Sequence, residues 1–279
     1  MARRRVTELE VLRTEHLSPH MIRIVAGGGN LPDFPDTPYT DRYVKIVFPR
    51  RGVEYPEPFD MDTVHETLPR EQWPSLRTYT VRSLDHAAGE LVIDFVHHGD
   101  AGLAGPWAAA AKPGDRFHVL GPGGAYAPDP EADWHLYVGD EAALPAIGAA
   151  LEQLPAAARA VAVVQIGSAR DEYPLPGADR VDVRWLHRDA AGGDPDHTQL
   201  ADAVRALEFG SGRVQAFVHG EAVAVREVRR HLLRERGVER DDLSVSGYWR
   251  QGHADEEFRR LKAAERAREE ADEQAARTG

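Results

Sequence analysis

The chain has 279 residues, a mass of 30.8 kDa and a formal net charge of −12, with 34 Lys and Arg against 46 Asp and Glu. This length accommodates about two domains of the usual ~100–200 residues. The negative balance disfavours binding of nucleic acid over a broad surface, because the phosphates would be repelled. The chain has no cysteine. Disulfides, thiolate zinc sites, protein-held iron–sulfur clusters and cysteine nucleophiles are therefore excluded, and redox chemistry would require a bound cofactor.

No part of the sequence is typical of a membrane or secreted protein. No apolar run approaches the ~20 residues of a membrane helix. The basic start at residues 3–5 leads into the polar Thr7-Glu8 and not into an apolar core, so no signal peptide is expected. We expect a cytoplasmic monomer without membrane contact.

The first half of the chain has the pattern of short strands separated by Gly, Pro and Asp. Such strands predict a small antiparallel barrel or sandwich. An alanine-rich helix is expected at Ala104–Ala111, and the proline-containing stretch Pro49–Pro74 is expected to be an irregular loop. The predicted strands are Val6–Arg13, Met21–Ala26, Tyr43–Pro49, Leu76–Leu84, Leu91–His98 and Arg116–Leu120.

In the second half, strands alternate with helices, which predicts a doubly wound parallel sheet. The predicted strands are Trp134–Val138, Ala160–Ile166, Val181–Leu186, Val214–His219 and Leu243–Tyr248. The predicted helices are Glu141–Leu154, Thr198–Leu207 and Glu221–Arg236.

These patterns predict a β + α/β architecture with two domains and a tail. We expect an antiparallel β-barrel domain over residues 1–127, a parallel-sheet α/β domain over 128–252 and a helical tail over 253–279. The Pro- and Asp-rich stretch Ala127–Asp133 is the expected linker. The tail mixes acids and bases with few large apolar residues, which is typical of a solvated helix stabilised by close opposite charges.

The most informative segment is RTYTVR at residues 77–82, on a predicted strand. Alternation puts Arg77 and Tyr79 on one face of that strand and Thr78, Thr80 and Arg82 on the other. An aromatic for a flat ring, a hydroxyl for a ring heteroatom and a guanidinium for a diphosphate fit a flavin cradle. These are also ordinary strand residues, so composition alone favours a strand with a charged solvent face.

A second segment, HHGDAGLAGPWA at residues 97–108, ends one strand and opens the alanine-rich helix. Its small residues let the backbone approach a ligand closely, and the amides at the start of a helix suit a diphosphate. The pattern is also typical of a strand-ending turn with Trp107 in the core. A lone histidine near a turn, such as His98, is more often structural.

Taken together, these segments resemble the siderophore-interacting proteins, a branch of the ferredoxin–NADP reductase superfamily. The likeness continues through AKPGDRFHVLGPGG at residues 111–124, GDEAALPA at 139–146, VHGE at 218–221 and GYWRQG at 247–252. It implies an FAD-binding barrel, a nicotinamide-binding α/β domain, and an enzyme that reduces ferric iron inside a siderophore and releases it as ferrous iron.

The resemblance also implies roles for single residues. Lys45 and Arg250 resemble the family's basic residues that face an anionic ferric chelate. The implied FAD-binding residues are Arg77, Thr78, Tyr79, Thr80 and Arg82 on the first segment, and His98, Gly102, Ala104, Trp107 and Ala108 on the second.

Nicotinamide contacts are expected where the parallel strands end. Asp140 and Glu141 follow the first strand of the α/β half, at the usual ligand crevice of open parallel sheets, and Glu221 has the same position at a later helix. Acids at a helix start are equally common as caps and dipole partners. Arg170, after the second strand, could receive a ribose 2′-phosphate and so favours NADPH, although two acids adjoin it.

Two functions remain open from the sequence. The first is a flavoprotein reductase that passes hydride from NAD(P)H to FAD and single electrons to a ferric siderophore, with no side chain acting as a catalytic acid or base. The second is a siderophore-binding flavoprotein reduced by ferredoxin or another protein. No histidine spacing predicts a metal site, so iron is expected to arrive inside its chelate.

Overall fold

The computed structural model describes residues 6–189, 198–253, 257–258 and 260–262. The chain forms a closed antiparallel barrel followed by a five-stranded parallel sheet. This confirms the predicted β + α/β class and, of the two antiparallel alternatives, the barrel. The helical tail predicted over residues 253–279 lies almost entirely outside the described residues.

The barrel has the strand order β1-β2-β5-β4-β3-β6. Its inward side chains, among them Leu9, Ile24, Val44 and Ile93, form one apolar core. The strands are β1 (Val6–Ser18), β2 (Met21–Gly27), β3 (Tyr43–Phe48), β4 (Ser75–Asp85), β5 (Glu90–Val96) and β6 (Arg116–Gly123).

Helix α1 (Met61–Thr67) interrupts the stretch that the sequence predicted as an irregular loop. The Asp60 carboxylate caps it by accepting the Thr63 N–H at 2.8 Å. Met61 and Val64 are buried, so tertiary packing stabilises a helix too short to form by itself. The loop prediction is wrong at these residues. Helix α2 (Ala104–Ala110) agrees with the predicted alanine-rich helix.

The parallel sheet has the order β11-β10-β7-β8-β9. Its strands are β7 (Trp134–Asp140), β8 (Ala160–Ile166), β9 (Asp182–His187), β10 (Val214–Glu221) and β11 (Leu243–Trp249), and its helices are α3 (Leu144–Gln153), α4 (Gln199–Arg205) and α5 (Ala222–Arg234). Helix α3 begins three residues later than predicted, with Pro145 in its first turn, where a missing N–H costs nothing.

The strand order reverses between β7 and β10. The chain passes through β7, β8 and β9 on one side and then returns to β10 on the other side of β7. The carboxyl ends of β7 and β10 therefore border the crevice in which such sheets bind ligands. We call this place the sheet crevice.

Helix α3 lies between the sheet and the barrel. Its apolar residues share a buried cluster with β8 and with Met21 of the barrel, whereas α4 and α5 cover the opposite face of the sheet. In the described part of the chain, no helix is long and apolar enough to cross a membrane.

Candidate active site

Strands β4 and β5 separate at one end of the barrel. Their ladder runs from Asp85–Glu90 to Val81–Ile93, whereas residues 75–80 of β4 pair with β3. Helix α2 contacts β2 and β5 at this end. The result is an open strand edge beside α2, which we call the β4 groove. Arg77, Tyr79 and Thr80 lie on this part of β4.

The two predicted FAD segments meet at one aromatic ring. Phe95 of β5 lies 4.4 Å from the Tyr79 ring and 5.6 Å from the Trp107 ring, measured between centroids. The Trp107 ring also packs on the Phe117 ring, with centroids 5.1 Å apart. Trp107 is therefore part of the barrel core, which was the alternative to a contact with FAD. A contact between Trp107 and FAD stays a prediction.

The small residues of the second segment allow close packing at some positions and leave open space at another. Ala104 and Ala108 are buried, and a methyl group built at Gly105 would lie 3.0 Å from the Val96 carbonyl at the end of β5. Gly102 has a positive φ of 83°, and a methyl group there would meet no atom within 4 Å. The backbone before α2 is therefore accessible to a ligand.

The residues of the β4 groove fit an FAD. Arg77 supplies a cation on the open half of β4, and Tyr79 supplies a half-buried aromatic ring. Nearby, the buried Nδ1 of His97 has no hydrogen-bond partner in the part of the chain that the structure describes. A polar ligand would satisfy such a nitrogen, since buried polar atoms are normally hydrogen-bonded.

Arg82 points away from the groove. Its guanidinium donates to both carboxylate oxygens of Glu152 on α3, at 2.8 and 2.6 Å, and its side chain is only 11% exposed. Glu152 thus takes two of the five N–H donors of Arg82. The FAD role of Arg82 therefore has less support than that of Arg77, Tyr79 and Thr80.

His98 lies where the barrel approaches the sheet. Its exposed ring is 5.9 Å from that of His20, whose Nδ1 is 2.8 Å from the Asp171 carboxylate. Asp171 belongs to a short turn after β8 and also accepts from Ser168. The predicted FAD residue His98 is thus part of a polar contact between the two domains.

Asp140 lies at the sheet crevice and is fully buried. Its carboxylate accepts three N–H groups, from Ala142 at 2.9 Å, Glu221 at 2.7 Å and the Trp249 indole at 2.8 Å. Burial and the neighbouring Glu141 raise the pKa of Asp140 to about 7, against these donors. Asp140 therefore joins the ends of β7, β10 and β11.

Glu141 pairs with Arg188, which follows β9. The Arg188 guanidinium donates to both oxygens of the Glu141 carboxylate, one contact being 2.9 Å. Both side chains are largely buried. The pair spans the carboxyl ends of β7 and β9 across Gly167, so Arg188 supplies a cation at this edge that the sequence did not predict.

The other two predicted nicotinamide residues, Glu221 and Arg170, make contacts of other kinds. Glu221 caps α5, because its carboxylate accepts the N–H groups of Val223 and Ala224 at 2.6 and 2.9 Å. The Arg170 side chain is exposed, and the backbone N–H of Arg170 donates to the Ser168 hydroxyl. Capping is thus the observed role of Glu221, and cofactor contact by either residue stays a prediction.

The last strand of the sheet reaches the open half of β4. The Tyr248 phenol lies beside the Thr80 hydroxyl, and burial, together with Asp41, raises the pKa of Tyr248, so this phenol stays protonated. In the barrel ladder, Thr80 pairs with Tyr43 and Thr78 with Lys45, so Lys45 is one step along the same face. Arg250 follows Tyr248 by two residues in the chain, directly after β11.

Three residues of this region were not predicted from the sequence: Tyr248, Arg188 and Glu152. Arg188 carries the signal used for Arg170, a cation directly after a parallel strand, and could have been found in that way. Tyr248 was part of the GYWRQG match, without a role. Glu152 has no sequence signal. No cluster of three or more potential metal ligands occurs within the described ranges.

Two family models match the chain. The siderophore-interacting FAD-binding domain matches residues 10–126, and the siderophore-interacting protein model matches residues 132–252. The matched regions correspond to the barrel and to the parallel-sheet domain.

Curated relatives match over nearly the whole chain. Uncharacterized protein Rv2895c of Mycobacterium tuberculosis is 44% identical, over 94% of this chain and 96% of its own. Ferric vibriobactin reductase ViuB of Vibrio cholerae is 32% identical, over 90% and 91%. The NADPH-dependent ferric-chelate reductase of Escherichia coli is 32% identical, over 88% and 93%.

Solved structures share the same arrangement. A siderophore utilization protein from T. fusca is 36% identical, with a TM-score of 0.77 over 91% of this chain and 96% of its own. The siderophore-interacting protein SipS from Aeromonas hydrophila is 32% identical, with a TM-score of 0.75 over 94% and 98%.

A closed barrel that matches an FAD-binding domain, followed by a parallel sheet, is the architecture of a two-domain flavoprotein oxidoreductase. The matches to both domains identify the branch: the chain belongs to the siderophore-interacting protein family, and FAD is its cofactor.

Proposed function

We propose that this protein passes hydride from NAD(P)H to FAD and then single electrons to a ferric siderophore, whose iron leaves as ferrous iron. Two relatives that match nearly the full chain are named as a ferric vibriobactin reductase and an NADPH-dependent ferric-chelate reductase. When bound, FAD supplies the conversion between a two-electron donor and a one-electron acceptor.

The observation that carries this proposal is the meeting of β11 with β4. The Trp249 indole donates to Asp140 in the sheet crevice, while the adjacent Tyr248 lies beside Thr80 in the β4 groove. A dinucleotide in the crevice would therefore have its reactive end next to a ring held by β4. Such proximity is the main requirement for hydride transfer.

The residues of the site bind and orient. Arg77 holds the diphosphate of FAD, because a guanidinium forms charge-assisted hydrogen bonds with phosphate. Tyr79 borders the flat ring, and Thr80 hydrogen-bonds one of its heteroatoms. Lys45 and Arg250 attract an anionic chelate to the exposed side of the groove, in a chain whose overall charge is −12.

An anaerobic titration tests the electron donor. The purified protein is expected to be yellow, and NADH or NADPH is expected to bleach its flavin absorbance. A ferric chelate added afterwards should restore the colour, and a ferrous-specific dye should report released iron. Bleaching by reduced ferredoxin alone would instead favour the ferredoxin-dependent alternative.

Arg170→Ala should weaken binding of NADPH more than binding of NADH if Arg170 receives the 2′-phosphate.

A variant at Arg77 tests the FAD site. Arg77→Ala should weaken FAD binding by roughly ten- to a hundredfold, because a charge-assisted hydrogen bond contributes ~1.5–3 kcal/mol. Flavin fluorescence during titration of the apoprotein measures the dissociation constant. Unchanged affinity in a folded Arg77→Ala protein would contradict the assignment of Arg77 to the diphosphate.

A further inference from the structure

We propose that Arg82 is a positioning residue that fixes the α/β domain against the flavin-binding strand by its ion pair with Glu152, and that it does not bind FAD. This inference rests on the proposed function only for its rate readout. Arg82 would then position the two domains, whereas its neighbours in the RTYTVR segment hold FAD.

The ion pair has the geometry of a rigid contact. Both terminal nitrogens of Arg82 donate, one to each oxygen of Glu152, at 2.8 and 2.6 Å. Parallel double hydrogen bonds of this kind fix the relative orientation of the two groups as well as their distance. Arg82 is 11% exposed, so solvent screens its end of the pair little.

Helix α3 has a glycine where Arg82 crosses it. A methyl group built at Gly148 would lie 3.1 Å from Nε of Arg82 and 3.4 Å from its Cζ. Gly148 is inside the helix, where glycine is less favourable than alanine. The close approach of the guanidinium gives this glycine a structural reason.

A distortion of β4 directs Arg82 to the helix. The β4–β5 register shifts between Val81 and Ser83, so Arg82 is the extra residue of a β-bulge. Bulges redirect side chains and bend the strand that carries them. The bulge is thus at the position from which the Arg82 side chain reaches α3.

The two elements that Arg82 and Glu152 join are those that position the reaction. Arg82 lies two residues after Thr80 on the strand of the β4 groove. Glu152 lies on α3, the helix that follows the sheet crevice. The pair thus links the flavin side to the nicotinamide side. His20 of the barrel also contacts Asp171 after β8, in addition to this pair.

Kinetics and binding of the FAD-loaded protein test the proposal. Arg82→Gln and Glu152→Gln should each slow flavin reduction by NAD(P)H by about ten- to a hundredfold, because a displacement of about 1 Å in reacting groups has effects of this size. The double variant should be no slower than either single variant, as expected for two residues of one contact. The FAD dissociation constant should stay within about twofold of wild type.

Arg13→Gln is the matched control. Arg13 forms a similar double contact with Glu90, at 2.5 and 3.1 Å, but within the barrel. Its loss should leave flavin reduction unchanged. If Arg82→Gln weakens FAD binding at least tenfold while Glu152→Gln does not, Arg82 is a cofactor residue and the proposal is overturned. Unchanged reduction rates in Arg82→Gln, Glu152→Gln and the double variant would overturn it as well.

Amide hydrogen exchange separates failure of this inference from failure of the proposed function. If wild-type flavin is not reduced by NADH or NADPH, the proposed donor is wrong, but the domain contact can still be tested without a donor. Arg82→Gln and Glu152→Gln should both accelerate exchange in α3 and in residues 75–82 of β4, and Arg13→Gln should not. Unaltered exchange in both variants would overturn the positioning role.

Discussion

His219 is held as a neutral base inside the parallel-sheet domain. It is 3% exposed, its ring stacks on Phe217 with centroids 3.7 Å apart, and its Nε2 is 2.9 Å from the Ser244 hydroxyl. Burial, with a smaller effect of the nearby Lys262 ammonium, lowers the pKa of His219 to about 3 from an ordinary value of 6.5.

Acid should therefore destabilise the protein through this one residue. Between pH 6.5 and about 3, the unfolded chain binds a proton at His219 and the folded chain does not. The contribution of His219 to the free energy of unfolding is therefore fully present above its ordinary pKa. This contribution falls as the pH decreases, by about 2 kcal/mol at pH 5. Denaturant unfolding should show a loss between pH 7 and pH 5 that is smaller by about this amount in His219→Gln.

The exposed residue His86 provides the control for His219. His86→Gln removes an exposed histidine and should not reproduce the effect of His219→Gln. A His219→Gln protein with the wild-type pH dependence would show that His219 is not held neutral.

The position of a site residue could be predicted from the sequence where a local pattern determines it. It could not be predicted where contacts with distant residues determine it. Arg77, Tyr79 and Thr80 follow from one segment on one strand, and the structure places them on the open half of β4. Arg82 belongs to the same segment, but its direction depends on a β-bulge and its partner is Glu152 on another domain. No local pattern contains that information.

At the scale of elements, the N-terminus of α5 shows a carboxylate that stabilises a helix. Glu221 accepts two N–H groups of the first turn, at 2.6 and 2.9 Å, and a third from Gln251 at 3.3 Å. A cap of this kind contributes about 0.5–2 kcal/mol. The contact with Gln251 also connects α5 to the residues that follow β11.

Glu221→Ala should lower the free energy of unfolding by about 1–2 kcal/mol, because the capped N–H groups lose their acceptor. Glu221→Gln retains a carbonyl oxygen and should lose less. Thermal or denaturant unfolding measures both. If Glu221→Gln instead left stability unchanged and weakened NAD(P)H binding more than tenfold, Glu221 would be a cofactor residue as the sequence analysis expected.

Elements with strong apolar periodicity could be predicted, and elements stabilised by tertiary contacts could not. The strands of both domains were found because alternation and continuous apolar runs mark them. Helix α1 was missed, since its two buried residues, Met61 and Val64, give no periodicity over so short a length. The closure of the barrel and the order of the parallel sheet depend on pairings between distant residues. The strand pattern left barrel and sandwich open, the family resemblance implied the barrel, and the order of the parallel sheet was not predicted.

At the scale of the whole molecule, the charge of the protein opposes its proposed substrate. The net charge is −12, and a ferric chelate with acidic ligands is itself anionic. Mean repulsion would slow their encounter unless a local positive patch lies at the groove. Lys45 pairs with Thr78 of β4 in the barrel ladder, and Arg250 follows β11 two residues after Tyr248, so these two cations are the proposed patch.

Removal of either cation should therefore affect one half of the reaction. Lys45→Ala and Arg250→Ala should slow reduction of anionic ferric chelates about threefold or more and leave flavin reduction by NAD(P)H intact, while a neutral chelate should be little affected. Salt should shrink the difference from wild type, because screening acts over about 8–10 Å. Lys112→Ala makes the same charge change near the start of β6, away from the end that pairs with Tyr43, and serves as the control. Stopped-flow absorbance measures the rates of both half-reactions. Equal losses of rate in the two half-reactions, or equal losses for neutral and anionic chelates, would contradict the prediction. Lys45 and Arg250 would then stabilise the fold or the flavin instead of attracting the chelate.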